Sequence, residues 1–182
     1  MTQTASWRRL DVAGRDTARL IETGDGWRLE GRAIFDHQGD EAHFDYALSL
    51  DANWRTRKGI VTGWIGERSI ERIILHDQGG WILDGRLQNG LGHCLDLDYG
   101  FTPATNLPQI RRLNLEIGQS ADFTVAWLDD EAASLTELPQ FYERISEHAY
   151  RYASPTGDYR AVLEMAPNGF VRVYPGLWEM AK

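Results

Sequence analysis

Apolar and polar residues alternate with a period of two over most of this chain, which constrains its fold more than any other feature. Residues 27–35, 44–50, 123–127 and 159–165 all follow the pattern. Successive side chains of a β-strand point to opposite faces of the sheet, so each run is typical of a strand with one buried and one wet face. Glycine-rich breaks separate the runs, and Asn168-Gly169 predicts a hairpin with a two-residue turn.

About a dozen short strands at this spacing predict a mainly β protein built on one antiparallel sheet, curled into a barrel, roll or sandwich. Helix signals are scarce. Residues 138–149 permit a helix, because their apolar positions have helical spacing and Pro139 fits a first turn. The alternative is two strands interrupted at Ser146-Glu147. We favour the strands, because the β-prone tyrosines Tyr150 and Tyr152 continue the run.

The chain length of 182 residues predicts a single domain over residues 1–182. One cysteine, Cys94, excludes an internal disulfide, and we interpret it as a small core residue. The first residues lack the apolar run of a signal peptide, and no apolar stretch approaches the ~20 residues of a membrane span. The cytoplasm is therefore the expected location.

Nineteen basic and 27 acidic residues give a net charge of −8. This balance argues against nucleic acid as a partner, because binding to it depends on neutralising phosphates. It argues equally against electrostatic docking on anionic lipids. Seven Trp, seven Tyr and six Phe are many for this length. Aromatic side chains fill cores, and they also line cavities for lipid chains and stack on sugars.

Two carboxylates stand close together in residues 94–99. If this segment is a strand, Cys94, Asp96 and Asp98 share one face, and neighbours on that face lie about 7 Å apart. Such a pair can share acid–base work, hold a metal with outside help, or accept hydrogen bonds from sugar hydroxyls. The simpler interpretation, which we favour, is pairing with arginines or solvation.

Residues 102–108 are too polar and too rich in proline for a strand, and we predict a stiff turn containing Thr102 and Asn106. A strand is expected to follow from Ile110 to Leu115. Its alternation would send Arg111 and Arg112 to opposite sides. An arginine that faces inward needs an anion, and the nearby aspartates are the expected partners.

Arg55 and Arg57 share a face near Trp54, an arrangement that suits either a headgroup site or ordinary surface ion pairs. The five histidines are scattered without zinc-ligand spacing, and no nucleophile, phosphate or dinucleotide motif occurs. We therefore expect no metal and no cofactor, and a catalytic role is less expected than binding.

The block from Cys94 to Leu113 resembles the signature of a bacterial family described as "Putative glycolipid-binding", formerly a domain of unknown function. Residues 54–57, 142–152 and 169–177 are similar to it as well. The family pattern places Leu-Pro directly before Ile-Arg-Arg, whereas Gln109 intervenes here. The resemblance implies a rolled antiparallel sheet that forms an open, barrel-like body, a spiral β-roll with little helix.

The family name implies non-enzymatic binding or carriage of an amphiphile such as a glycolipid. We expect the tail in the concavity of the sheet and the headgroup near the two aspartates and an arginine. The alternatives are a protein–protein interaction module without a small ligand, and a small hydrolase that uses Asp96 and Asp98. The resemblance assigns ligand binding to Arg57, Asp96, Asp98, Thr102, Asn106, Arg112 and Tyr152.

Overall fold

The computed structural model describes residues 2–181, which form 15 strands, one α-helix and a 3-10 turn at Pro155–Gly157. In the first half of the chain the strands are β1 (Thr2–Arg9), β2 (Gly14–Thr23), β3 (Gly26–His37), β4 (Asp40–Asp51), β5 (Thr56–Ile65), β6 (Arg68–Asp77), β7 (Gly80–Leu83) and β8 (Arg86–Gln88). The rest are β9 (Leu97–Tyr99), helix α1 (Asn106–Leu113), β10 (Ser120–Leu128), β11 (Thr136–Ser146), β12 (Ala149–Ser154), β13 (Tyr159–Met165), β14 (Val171–Tyr174) and β15 (Trp178–Met180).

All 15 strands belong to one sheet, in the order β8-β7-β6-β5-β4-β3-β2-β1-β15-β14-β13-β12-β11-β10-β9. Neighbours are antiparallel except β9 and β10, which are parallel. The sheet therefore has two halves, β1–β8 and β9–β15, which join where β1 pairs with β15. Its edge strands β8 and β9 do not pair, so the sheet is rolled but open. The predicted mainly β class and open roll are confirmed.

The alternation of the sequence sets which face of each strand is buried. In β4, the residues Ala42, Phe44, Tyr46, Leu48 and Leu50 are all buried, and those between them are partly exposed. Because the side-chain period is two, a slip of one residue would expose this entire row. The pattern therefore specifies the pairing of β4 with β3 and β5.

Residues 91–107 leave the sheet edge and fill the concave face of the first half. Leu97, Tyr99 and Phe101 are almost fully buried there. The Tyr99 hydroxyl donates to the Ala47 carbonyl at 3.2 Å. A Cβ at Gly59 would lie 2.5 Å from both the Leu97 and Tyr99 side chains, so only glycine fits. The space expected for a ligand tail over β4 and β5 is thus occupied by the chain itself.

The predicted strand from Ile110 to Leu115 was wrong, because helix α1 covers Asn106–Leu113. Pro108 is tolerated in the first turn, where its missing N–H has no partner to lose. Leu107 and Ile110 are buried at helical spacing. Asn114 ends the helix in the left-handed conformation (φ 45°) and donates its amide to the Ile110 carbonyl at 3.1 Å. This eight-residue helix, the sole α-helix of residues 2–181, is too short to cross a bilayer.

The strand predicted over 94–99 is shortened to Leu97–Tyr99. Thr56 forms two hydrogen bonds with the backbone around the start of this strand. Its amide donates to the Leu95 carbonyl, and its hydroxyl accepts from the Leu97 amide, both at 3.0 Å. Cys94 is buried, as predicted.

The strand interpretation of residues 138–154 is confirmed by β11 and β12. The hairpin at Asn168-Gly169 is also present between β13 and β14, with Gly169 in the left-handed region (φ 88°). Its turn is longer than predicted: Gly169 donates to Ala166, and the Ala166 amide donates to Phe170, which leaves three residues in the loop.

Candidate functional site

The turn before helix α1 holds two buried carboxyl groups, each through one threonine. The hydroxyl of Thr102 donates to Asp16 of β2, and the Tyr46 hydroxyl lies 3.0 Å from both Asp16 carboxylate oxygens. Asp16 is fully buried, and burial raises its pKa to about 7 against the lowering effect of these hydrogen bonds.

The second carboxyl belongs to Asp98. Thr105 donates its hydroxyl to one oxygen, and the Gln140 amide donates to the other at 2.8 Å. The Thr105 side chain does not cap the helix that follows it; its hydroxyl oxygen accepts from the Tyr99 amide at 3.4 Å instead. Burial raises the pKa of Asp98 to about 6, and the hydrogen bonds from Thr105 and Gln140 oppose the rise.

Asp98 also lines a cavity of about 350 Å³ between the start of helix α1 and the second half of the sheet. We call it the aromatic cavity, because six of its residues carry aromatic rings, each from a different strand. Tyr152 and Tyr159 each pack against Tyr174, with ring centroids 5.7 and 5.5 Å apart. The lining side chains include no Arg, Lys or His within residues 2–181. The residues that line it are Asp98, Tyr99, Gly100, Thr102, Asn106, Trp127, Leu138, Tyr152, Ser154, Thr156, Gly157, Tyr159, Tyr174, Leu177 and Trp178.

Four of the seven residues assigned by resemblance meet in this cavity: Asp98, Thr102, Asn106 and Tyr152. Asn106 donates its side-chain amide to the Tyr142 hydroxyl at 2.6 Å, which anchors the helix start to β11. Burial raises the pKa of Tyr152 well above its ordinary value, so its hydroxyl stays neutral and can donate.

Asp96 and Arg112 form a buried ion pair elsewhere. The Arg112 Nε lies 2.9 Å from both Asp96 oxygens, and its Nη2 lies 2.7 Å from one of them. The guanidinium also sits 5.4 Å from the Phe123 ring centroid. Arg112 is therefore the arginine that meets an aspartate, but neither residue lines the aromatic cavity. Asp96 and Asp98 do not act on one shared site.

Arg57 is exposed and pairs with Asp25 at 2.8 Å, in the turn between β2 and β3. An ordinary surface ion pair was one of the two interpretations of Arg57 from the sequence. This pair lies outside the aromatic cavity. No group of three or more His, Cys, Asp or Glu side chains that could hold a metal occurs among residues 2–181.

Several residues of the site were not identified from the sequence. Asp16 lies on the same strand face as Ala18 and Leu20, and a carboxyl on an apolar face was a usable signal. Gln140 likewise shares a face with the buried Tyr142. Trp127, Tyr159, Tyr174 and Trp178 gave no such signal, because an aromatic residue in a strand is ordinarily core.

A family model described as "Putative glycolipid-binding" matches residues 4–180. The chain is also similar to the crystal structure of a DUF1089 family protein from Pseudomonas aeruginosa, with a TM-score of 0.78 and 27% sequence identity. That likeness covers 98% of this chain and 91% of the other. No curated protein matches the sequence. Since the family model spans nearly the whole chain, this protein belongs to the family described as "Putative glycolipid-binding".

Proposed function

We propose that the aromatic cavity binds the hydroxyl-rich headgroup of an amphiphile such as a glycolipid, without transforming it chemically. One observation carries the proposal. Asp98, Thr102, Asn106 and Tyr152, which the family resemblance assigns, line a single cavity together with several further aromatic rings. Binding sites of this kind combine apolar and aromatic walls with a few convergent polar groups.

The chemistry of the lining suits a neutral, hydroxylated group. Aromatic faces such as those of Trp127 and Tyr159 offer stacking surfaces. Each oxygen of an ionised carboxylate has two acceptor sites, and the Asp98 oxygens take one donor each from Thr105 and Gln140. Asp98 therefore keeps the capacity to accept a hydrogen bond from a ligand hydroxyl. A lining without cations favours neutral headgroups over phosphate or carboxylate.

The size of the cavity limits how much of an amphiphile it encloses. Sites for small molecules usually measure about 300–1,000 Å³, and this one, at about 350 Å³, lies near the lower end. The concave face over β4 and β5 is filled by Leu97, Tyr99 and Phe101. We therefore assign the headgroup to the cavity and leave the tail outside it, a narrower version of the arrangement expected from the sequence.

The hydrolase alternative is less favoured. It requires two carboxyl groups that share one substrate, whereas Asp96 is held by Arg112 and lies outside the cavity. Asp98 has the raised pKa that an acid–base catalyst needs, but no second carboxyl lines the cavity within residues 2–181.

Titration calorimetry with octyl glucoside below its micelle concentration tests the proposal. We expect saturable binding that is about tenfold weaker in Asp98→Asn and in Trp127→Leu, since each removes one hydrogen bond to a charged group or one stacking surface. Arg57→Gln is the matched control, because the resemblance assigns Arg57 but it lies outside the cavity. Equal affinity in all four proteins, or no binding at all, would contradict the proposal.

A further inference from the structure

A second depression, of about 260 Å³, lies at the other end of helix α1. We call it the cationic cleft, defined by Arg111, Arg144, Glu147, His148 and Tyr150 among its lining residues. It shares no residue with the aromatic cavity. None of the residues assigned by the family resemblance lines it.

The two arginines of the cleft are not neutralised. Arg144 donates to three backbone carbonyls, those of Leu115 at 3.0 Å and of Ser146 and Glu147 at 3.4 Å. Arg111 donates to the Asn168 carbonyl at 3.4 Å. Neither guanidinium lies within 4.0 Å of a carboxylate in the part of the chain that the structure describes. Carbonyl oxygens hold a guanidinium in place, but they leave its charge uncompensated.

Tyr150 lines the cleft together with the two arginines. Its side chain is 6% exposed, and its hydroxyl makes no hydrogen bond to any of residues 2–181. The Arg144 guanidinium carbon sits 5.9 Å from its ring centroid. Burial raises the pKa of Tyr150, and the charges of Arg144 and Arg111 oppose the rise. The hydroxyl is accessible at the cleft, where it can donate a hydrogen bond to a ligand.

The charge of the cleft contrasts with that of the whole chain. Glu147 is its one carboxylate, is largely exposed, and lies 3.9 Å from His148. The cleft therefore carries a net positive charge in a protein whose net charge is −8. Guanidinium N–H groups match the oxygens of a phosphate in pairs, and a tyrosine hydroxyl adds one further donor.

We propose that the cationic cleft binds a phosphate group, with Arg111 and Arg144 as the cations and the Tyr150 hydroxyl as a donor. This site does not depend on the proposed function of the aromatic cavity. The small volume suits a phosphate monoester of a soluble compound, and the net negative charge of the chain disfavours a phospholipid surface as its source.

Calorimetric titration with inorganic phosphate in low-salt buffer tests this site. Arg111→Gln should weaken binding about tenfold, and Tyr150→Phe several-fold, because each removes a donor to a charged group. Arg86→Gln is the matched control, an exposed arginine in β8 that has no ion pair within residues 2–181. Arg144→Gln is not used, because the loss of three carbonyl contacts can unfold the region.

Glucose 6-phosphate and vesicles with phosphatidic acid then distinguish the source of the phosphate. Tighter binding of the sugar phosphate than of phosphate alone identifies a soluble ligand, which we expect. Vesicle binding that Arg111→Gln abolishes identifies a lipid headgroup. No measurable binding, or a loss in Arg86→Gln equal to that in Arg111→Gln, overturns the proposal.

Discussion

The two halves of the sheet share one strand pattern, but their concave faces are covered by different kinds of side chain. Over β3–β6, the side chains around Phe44, Leu48, Leu97 and Phe101 belong to one large hydrophobic cluster and are almost fully buried. Over β11–β13, a smaller cluster of eight buried residues contains three tyrosines, Tyr142, Tyr150 and Tyr152. Tyrosine hydroxyls need polar partners, so this half keeps polar space where the other half is sealed.

The same contrast applies to the two buried carboxyls. Asp16 is enclosed by Thr102 and Tyr46 and does not line the aromatic cavity. Asp98, held by Thr105 in the same turn, lines the aromatic cavity. Two similar carboxyl groups held by one turn therefore differ in their surroundings: the first is enclosed, and the second faces the aromatic cavity.

The largest expected effect tests the packing difference. Phe101→Ala should lower the free energy of unfolding by about 3–5 kcal/mol, because its ring packs against Phe44, Tyr46 and Tyr99 with almost no exposure. Phe123→Ala in the second half should cost less, about 1–2 kcal/mol, because Phe123 is only half-buried. Urea denaturation measures both, and equal losses would break the comparison.

An intermediate effect concerns pH. Burial gives Asp16 a pKa of about 7 in the folded state, against an ordinary value of 3.8. The folded protein then binds more protons than the unfolded chain between these values, so stability should fall as pH rises through this window. Asp16→Asn should remove a decline of about 2 kcal/mol between pH 5 and pH 7.

Denaturation curves across that pH range measure the decline. Asp45→Asn is the control, because Arg32 lowers the pKa of this carboxyl and gives it the opposite dependence. If Asp16→Asn leaves the slope of unfolding free energy against pH unchanged, the Asp16 carboxyl does not titrate in this window. Asp98 should add a smaller decline that ends near pH 6.

The smallest expected effect sharpens the distinction between stability and binding. Tyr159→Phe removes the hydrogen bond from its hydroxyl to the Pro175 carbonyl, 2.6 Å long and partly exposed. Stability should fall by about 0.5–1 kcal/mol. Octyl glucoside affinity should fall about threefold, because the hydroxyl oxygen, whose hydrogen is donated to Pro175, is lost as an acceptor for a ligand hydroxyl. A large loss of stability would place Tyr159 with the packed half instead.

Much of the fold follows from the sequence, because the period of two is repeated in almost every strand. The exception at Ile110–Leu115 has a physical cause: the spacing of Ile110 and Leu113 fits a helix, whereas that of Leu113 and Leu115 fits a strand. Pro108 in the first turn and the cap at Asn114 favour the helix. Both residues are visible in the sequence, but each is a weak signal by itself.

Less of the site was predictable. Asp98, Thr102 and Asn106 lie within one short segment, so the family pattern brought them together. Trp127 and Trp178 come from β10 and β15, which are five positions apart in the sheet, so their meeting around one cavity depends on the tertiary fold. The family resemblance also assigned Arg57 to the site, but this residue forms an ion pair with Asp25 at the surface.

The pairing of β1 with β15 has a consequence for folding kinetics. Each half is a run of neighbouring hairpins that can nucleate locally, whereas the junction between the halves joins residues from opposite ends of the described chain, such as Arg9 and Trp178. Closing so long a loop is entropically slow compared with forming a hairpin. The rate-limiting step of refolding should therefore be the docking of two preformed halves, and mutations at this seam should slow it more than mutations at either outer edge.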